Sequence, residues 1–264
     1  MTAKYQNIRL EVAGSVATLL LARPERLNAI NAATHPELRD ALDRVETDKH
    51  VRCLVLTGEG RAFCSGQDLS ERNIEEPSQL DLGSSLEKNY NPLVLRLASF
   101  PIPTIAAING PAAGAGANIA LACDIILMAR SAYIQQAFAR IGLVPDAGGT
   151  WFLPRLVGLK RALAMALFAD RISAEECERM GIAWKIFDDD IFASEVAKHA
   201  AILAAGPTLA YRLAKKAIMD SGANDLAAQL DLERDSQREA GRSRDFLEGV
   251  TAFIQKRLPR FQGE

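Results

Sequence analysis

The sequence predicts an α/β fold followed by a C-terminal helical region, and three observations carry that prediction. Short apolar runs of strand character recur through the first half, at residues 8–12, 16–21, 51–57, 104–108 and 124–128. Stretches of helical periodicity lie between several of them, as crossover helices do in a mostly parallel sheet. Beyond residue 158 the pattern is helical almost throughout, with one short strand at 184–187. The division expected is a core over residues 1–200 that carries the site and a helical region over 201–264.

Each element has a local reason. Residues 8–12 and 16–21 flank Ala13-Gly14-Ser15 and predict a hairpin, its first strand half exposed and its second buried. Arg23-Pro24 ends it. Thr34 opens a helix as N-cap with Glu37 as capping-box partner, and Leu38, Ala41, Leu42 and Val45 form its apolar stripe to about Asp48. The runs at 51–57, 104–108 and 124–128 are apolar nearly end to end, the mark of parallel strands covered on both faces. Helices are expected over 86–98 and from Gly114 to Ala122. Residues 73–85 mix polar side chains with Pro77 and Gly83 and predict a mobile surface loop over the pocket. Further helices follow at 159–168, at 173–180 with Ser173 and Glu176 as a capping box, at 191–205, and from Pro207, Asn224 and Ser243. The last three are expected to pack on the core or on a neighbouring subunit.

Composition excludes several classes of function. With 31 basic against 33 acidic residues there is no bulk field to recruit nucleic acid or an anionic membrane, so an anionic ligand needs a local cluster. No apolar run approaches the roughly 18 residues of a membrane span, and residues 1–7 carry no hydrophobic leader. Cys53, Cys64, Cys123 and Cys177 have no zinc-like spacing and are expected as reduced core thiols in a cytoplasmic protein. His35, His50 and His199 sit among charged neighbours and are expected at the surface.

The chemistry concentrates in FARIGLVPDAGGT, residues 138–150, where Asp146 stands between Pro145 and the pair Gly148-Gly149 among apolar neighbours. Such a carboxylate either caps a helix starting near Gly148 or is tuned by burial as an acid/base. Two small-residue loops suit backbone amides turned toward a ligand: RAFCSGQDL at 61–69 and NGPAAGAGA at 109–117, the second opening a helix. The second loop lacks the Gly-Lys-Ser/Thr ending of a phosphate loop and the third glycine of a dinucleotide fingerprint.

Taken together, AFCSGQDL, INGPAAGAGA and GLVPDAGGT resemble the enoyl-CoA hydratase/isomerase family, the crotonases, over nearly the whole chain. The resemblance implies a spiral of repeated ββα units, an acyl-CoA thioester as substrate with no cofactor and no metal, and a homotrimer or dimer of trimers. It implies that the amides of Gln67 and Ala115 form an oxyanion hole for the thioester carbonyl. Ala62, Gly66, Asp68, Leu69 and Gly114 would contact the substrate, Arg26 would lie near the coenzyme phosphates, and Tyr90 and Phe138 would wall the acyl pocket. Lys256 and Arg257 are better expected as solvated residues than as phosphate ligands.

The chain departs from the family's hydratases. Those enzymes carry a glutamate in the helix after the second loop and another before the IGLVP segment; here the positions hold Asn118 and Phe138. Asp146 remains, where isomerases and an aromatic dehalogenase of the family keep a single acid/base. Further segments, among them RPERLN at 23–28, YNPLV at 90–94 and LDLERD at 230–235, resemble the branch that isomerises ring-1,2-epoxyphenylacetyl-CoA to oxepin-CoA. The implied activity is therefore an acyl-CoA isomerase. The alternatives are a 3-enoyl-CoA to 2-enoyl-CoA isomerase, an enoyl-CoA hydratase, or an inactive CoA-binding member of the fold.

Overall fold

The computed structural model describes residues 5–71 and 81–264. Among them β1 (Ile8–Ala13) and β2 (Val16–Leu21) form the expected antiparallel hairpin at one edge of a six-stranded sheet. From β2 inward every pairing is parallel, through β3 (Cys53–Gly58), β4 (Thr104–Ile108), β6 (Ile125–Ala129) and β9 (Lys185–Phe187). A second sheet joins β5 (Ala112–Ala113), β7 (Tyr133–Gln135) and β8 (Arg171–Ser173). All five residues of β4 are buried, as an internal parallel strand requires, whereas the edge strand β1 buries only Ile8 fully.

One face of the large sheet carries α1 (Thr34–Thr47), α3 (Asn91–Ala98) and α4 (Ala115–Leu121). Leu38 and Leu42 of α1 close on Leu19, Leu21, Leu56 and Leu97. Each such side chain contributes about 1.5–3 kcal/mol on burial. The opposite face, with Val16, Thr18 and Val55, is covered by Phe192, Val196 and Ala200 of α8 (Asp189–Ala204). The expected loop at 73–85 falls mostly outside the described residues; its end forms the short α2 (Leu82–Ser85), capped by Asp81 and joined to α3 by a π-helical turn, Leu86–Tyr90.

Two expectations fail in α1. Thr34 is not the N-cap: the Asn31 side chain accepts from its amide and its hydroxyl (2.9 and 2.7 Å), while Glu37 reaches across to the amides of Gln6 and Asn7. His35 is not a surface residue either. It is 5% exposed, with its ring edge-on to Tyr90, and burial beside Arg39 lowers its pKa to about 4. The four cysteines are buried, and desolvation pushes each thiol up to about 12.

The chain continues through α5 (Gly149–Val157), α6 (Leu159–Phe168) and α7 (Ala174–Met180), the last opened by the expected Ser173–Glu176 capping box. After α8 come α9 (Thr208–Asp220), α10 (Leu226–Ala240) and α11 (Arg244–Ile254). Polar anchors hold them. Arg52, just before β3, donates to the Gly206 carbonyl, to Thr208 Oγ1 (3.0 Å) and to the Phe261 carbonyl (2.9 Å). Lys215 of α9 pairs with Asp124 at 2.6 Å and donates to the carbonyls of Phe100 and Ile102. Apolar side chains here stay uncovered, including Ile218, Leu226 and Phe253. Among the described residues no helix is long and apolar enough to cross a membrane.

Candidate active site

Two asparagines, Asn28 buried and Asn109 half-buried, shape the approach to the first loop. Asn28 donates to the carbonyls of Glu59 (2.9 Å) and Ala62 (2.7 Å) and accepts from the Arg23 amide. Asn109 donates to Gly58 and Gly60 (both 2.9 Å). The Arg23 guanidinium pairs with Asp68 at 2.9 Å, and Asp68 also accepts from the Ser70 hydroxyl and amide. Those hydrogen bonds, Ser70 foremost, hold the Asp68 carboxyl below its usual range. Its carboxylate is thus committed within the protein, and its amide donates to the Ile30 carbonyl at 2.9 Å.

The second loop lies against the first. Phe63 and Cys64 donate to the Pro111 carbonyl, and Ala113 returns a bond to Cys64 at 2.9 Å. A side chain at Gly66, whose φ is +96°, would stand 3.0 Å from the Ala113 carbonyl oxygen and 3.4 Å from the Ala115 nitrogen. Only glycine at 66 lets the first loop, just before Gln67, pass so close to the Ala115 amide; Gln67 and Ala115 are the two expected donors. Neither amide is spent on a carbonyl among the described residues. Gly114, at φ +54°, faces the Phe138 ring, which lies 3.8 Å from where a Cβ would be.

Asp146 follows Pro145 in the loop before α5. Its carboxylate does not cap that helix: Gly148 stands at the cap position, and the Asp146 backbone carbonyl accepts from the Gly149 amide at 2.9 Å. The side-chain oxygen Oδ1 is buried without a hydrogen-bond partner among the described residues. Burial raises the Asp146 pKa to about 6, opposed only by its own amide, and no charged side chain adds to the shift. Asn118 is completely buried in α4. Its Nδ2 donates to the Asp146 carbonyl at 2.8 Å, and its Oδ1 accepts from Gln136 Nε2 at 2.8 Å.

The structure therefore brings Gly66, Gln67, Gly114, Ala115 and Phe138 together, and joins Asp146 to the same helix through Asn118. Other expected residues stand apart. Tyr90 is fully enclosed against His35, Ala62 is buried with its carbonyl held by Asn28, and Leu69 is half exposed. Arg26 is exposed, and its guanidinium has no partner among the described residues. Arg257 is taken up by Glu248 at 2.6 and 2.8 Å. Arg23, Asn28 and Gln136 carried no role in the sequence reading. Their side chains act on carbonyls or carboxylates distant in the chain, so local spacing gives no signal.

A fold of this topology with two amide loops and a half-buried, unpaired acid defines the class, and the chain belongs to the enoyl-CoA hydratase/isomerase family, whose profile matches residues 11–264. It is 51% identical to the 1,2-epoxyphenylacetyl-CoA isomerase of Escherichia coli (strain K12), over 94% of this chain and 95% of that protein. It is also 51% identical to a Rhodobacter capsulatus protein named "Probable enoyl-CoA hydratase", over 98% and 99% of the two chains. Among solved structures, an enoyl-CoA hydratase from Bacillus anthracis is 31% identical with a TM-score of 0.89, covering 98% of this chain and all of that one.

Proposed function

We propose that the chain is an acyl-CoA isomerase that converts ring-1,2-epoxyphenylacetyl-CoA to oxepin-CoA. Asp146 takes a proton from the carbon next to the thioester carbonyl, and the amides of Gln67 and Ala115 hold the enolate oxygen. The carbon–carbon bond shared by the epoxide and the six-membered ring breaks, its electrons shifting into the conjugated system of the enolate, to give the seven-membered oxepin, and Asp146 returns the proton to a ring carbon. No cofactor is needed beyond the coenzyme A that the substrate carries. Arg26 lies near its phosphates, and Phe138 walls the acyl group.

The observation that carries this reading is the Asp146 carboxylate, half-buried with Oδ1 unpartnered among the described residues and no cation beside it. A hydratase needs groups to hold and split water, and Asn118 and Phe138 offer neither a base nor an acid, whereas a proton shuttle needs one group that both takes and gives. Asp146, raised to about 6, is matched to that task near neutral pH. Replacing it with Asn abolishes conversion of ring-1,2-epoxyphenylacetyl-CoA; retained turnover would sink the proposal. The same lone acid supports a second activity, moving the double bond of a 3-enoyl-CoA into conjugation. Rates on the two substrates at matched concentration rank them. We further propose a cytoplasmic homotrimer or dimer of trimers, for which the uncovered apolar side chains of α9, α10 and α11 argue.

A further inference from the structure

Resting on the reading of Asp146 as the acid/base, we propose that Asn118, oriented by Gln136, is a positioning residue that fixes the Asp146 loop relative to the Ala115 amide. The carbonyl of Asp146 can only accept, so Asn118 must turn its amide nitrogen toward it and its oxygen toward Gln136. Gln136 answers with its nitrogen and leaves its own buried Oε1 without a partner among the described residues. A fully buried pair of amides that gives up one acceptor in this way is held for its orientation.

The loop needs such a hold. Ala147 lies at φ +46° and Gly148 at φ +82°, two successive left-handed residues directly after the acid, and Ala147 has no glycine freedom to relieve the strain. Ala147 is itself buried, at 3% exposure. The Asp146 carbonyl at the start of this turn is fixed from two sides, by Gly149 within the loop and by Asn118 from outside it. Asn118 stands three residues after Ala115, so one turn of α4 carries both the enolate-binding amide and the clamp on the acid. The spacing between proton transfer and charge stabilisation is set by a helix turn and not by the loop.

The test uses Asn118→Ala and the milder Gln136→Met in the full-length protein. The expected result is a kcat lower by about tenfold to 100-fold with KM for the acyl-CoA nearly unchanged, the signature of a misplaced group. With the loop released to water, the Asp146 pKa falls from about 6 toward the usual carboxylate range. Carbon-13 NMR of labelled aspartate reads that pKa without substrate, with Asp146→Asn identifying the resonance. A loss of folded protein alone would lower the amount of active enzyme and leave the pKa in place. An unmoved pKa and unmoved kcat overturn the proposal, and if Asn118→Ala does not fold, Gln136→Met decides it. Retained turnover in Asp146→Asn, alongside a moved pKa in these variants, instead overturns the acid/base reading while leaving the clamp standing.

Discussion

Asp146 pays for its reactivity in stability. Its pKa rises from 3.8 to about 6 on folding because water is withdrawn from the carboxylate. The ionised form is the base, so kcat/KM of the wild type rises with pH through about 6 and levels off above it; a flat profile between pH 5 and 7 contradicts the role. A raised carboxylate pKa means that folding opposes ionisation. The penalty is full above about pH 6 and absent below about pH 4. Asp146→Asn therefore stabilises the fold at pH 7.5 by ~1–2 kcal/mol, allowing for a half-exposed side chain, and the gain fades on acidification. Urea unfolding of both proteins at pH 7.5 and pH 4 checks the sign. Sequence showed this residue well, since proline, glycine and apolar neighbours surround it in the chain itself. It did not show His35, whose neighbours in sequence are charged but whose ring meets Tyr90, 55 residues away.

At the scale of elements, the site depends on how closely α4 and the first loop approach. A Cβ on Gly116 would stand 2.5 Å from the Cys64 carbonyl oxygen and 2.6 Å from its sulfur, with backbone on one side and a fully buried side chain on the other. Gly116→Ala is expected to cost about 3 kcal/mol and to lower kcat more than it raises KM, because the Gln67 and Ala115 amides part. Thermal melts and steady-state kinetics measure both. Periodicity and glycine placement made most elements legible, and α6 begins and ends at the residues the sequence predicts. Caps were less so. The Ser173–Glu176 box lies within one turn and was visible, whereas Glu37 left the pattern because the amides of Gln6 and Asn7 in the preceding segment are the better partners for it. The Asn118 clamp was hidden for the same reason: an asparagine in an alanine-rich helix says nothing of the carbonyl 28 residues on.

For the whole molecule, the helices after residue 207 carry many large, uncovered apolar side chains. α9 and α10 bury no residue fully, and Phe253 of α11 is 85% exposed. Light scattering is expected to give a multiple of the 28.6 kDa chain mass consistent with the proposed trimer or its dimer, and Phe253→Asp to shift it downward. A monomer mass for the wild type rejects the assembly. Arg52 adds a consequence in time. Its partners at Gly206 and Phe261 lie 154 and 209 residues downstream, so the hairpin and parallel strands can pair long before this cation is satisfied. Contacts of such sequence separation close late, after the local ones have paid for the chain's loss of freedom. The C-terminal helices are therefore expected to dock onto a sheet already formed, with Arg52 as the latch of that last step; protection of α9 amides from hydrogen exchange before those of β2 and β3 would contradict the order.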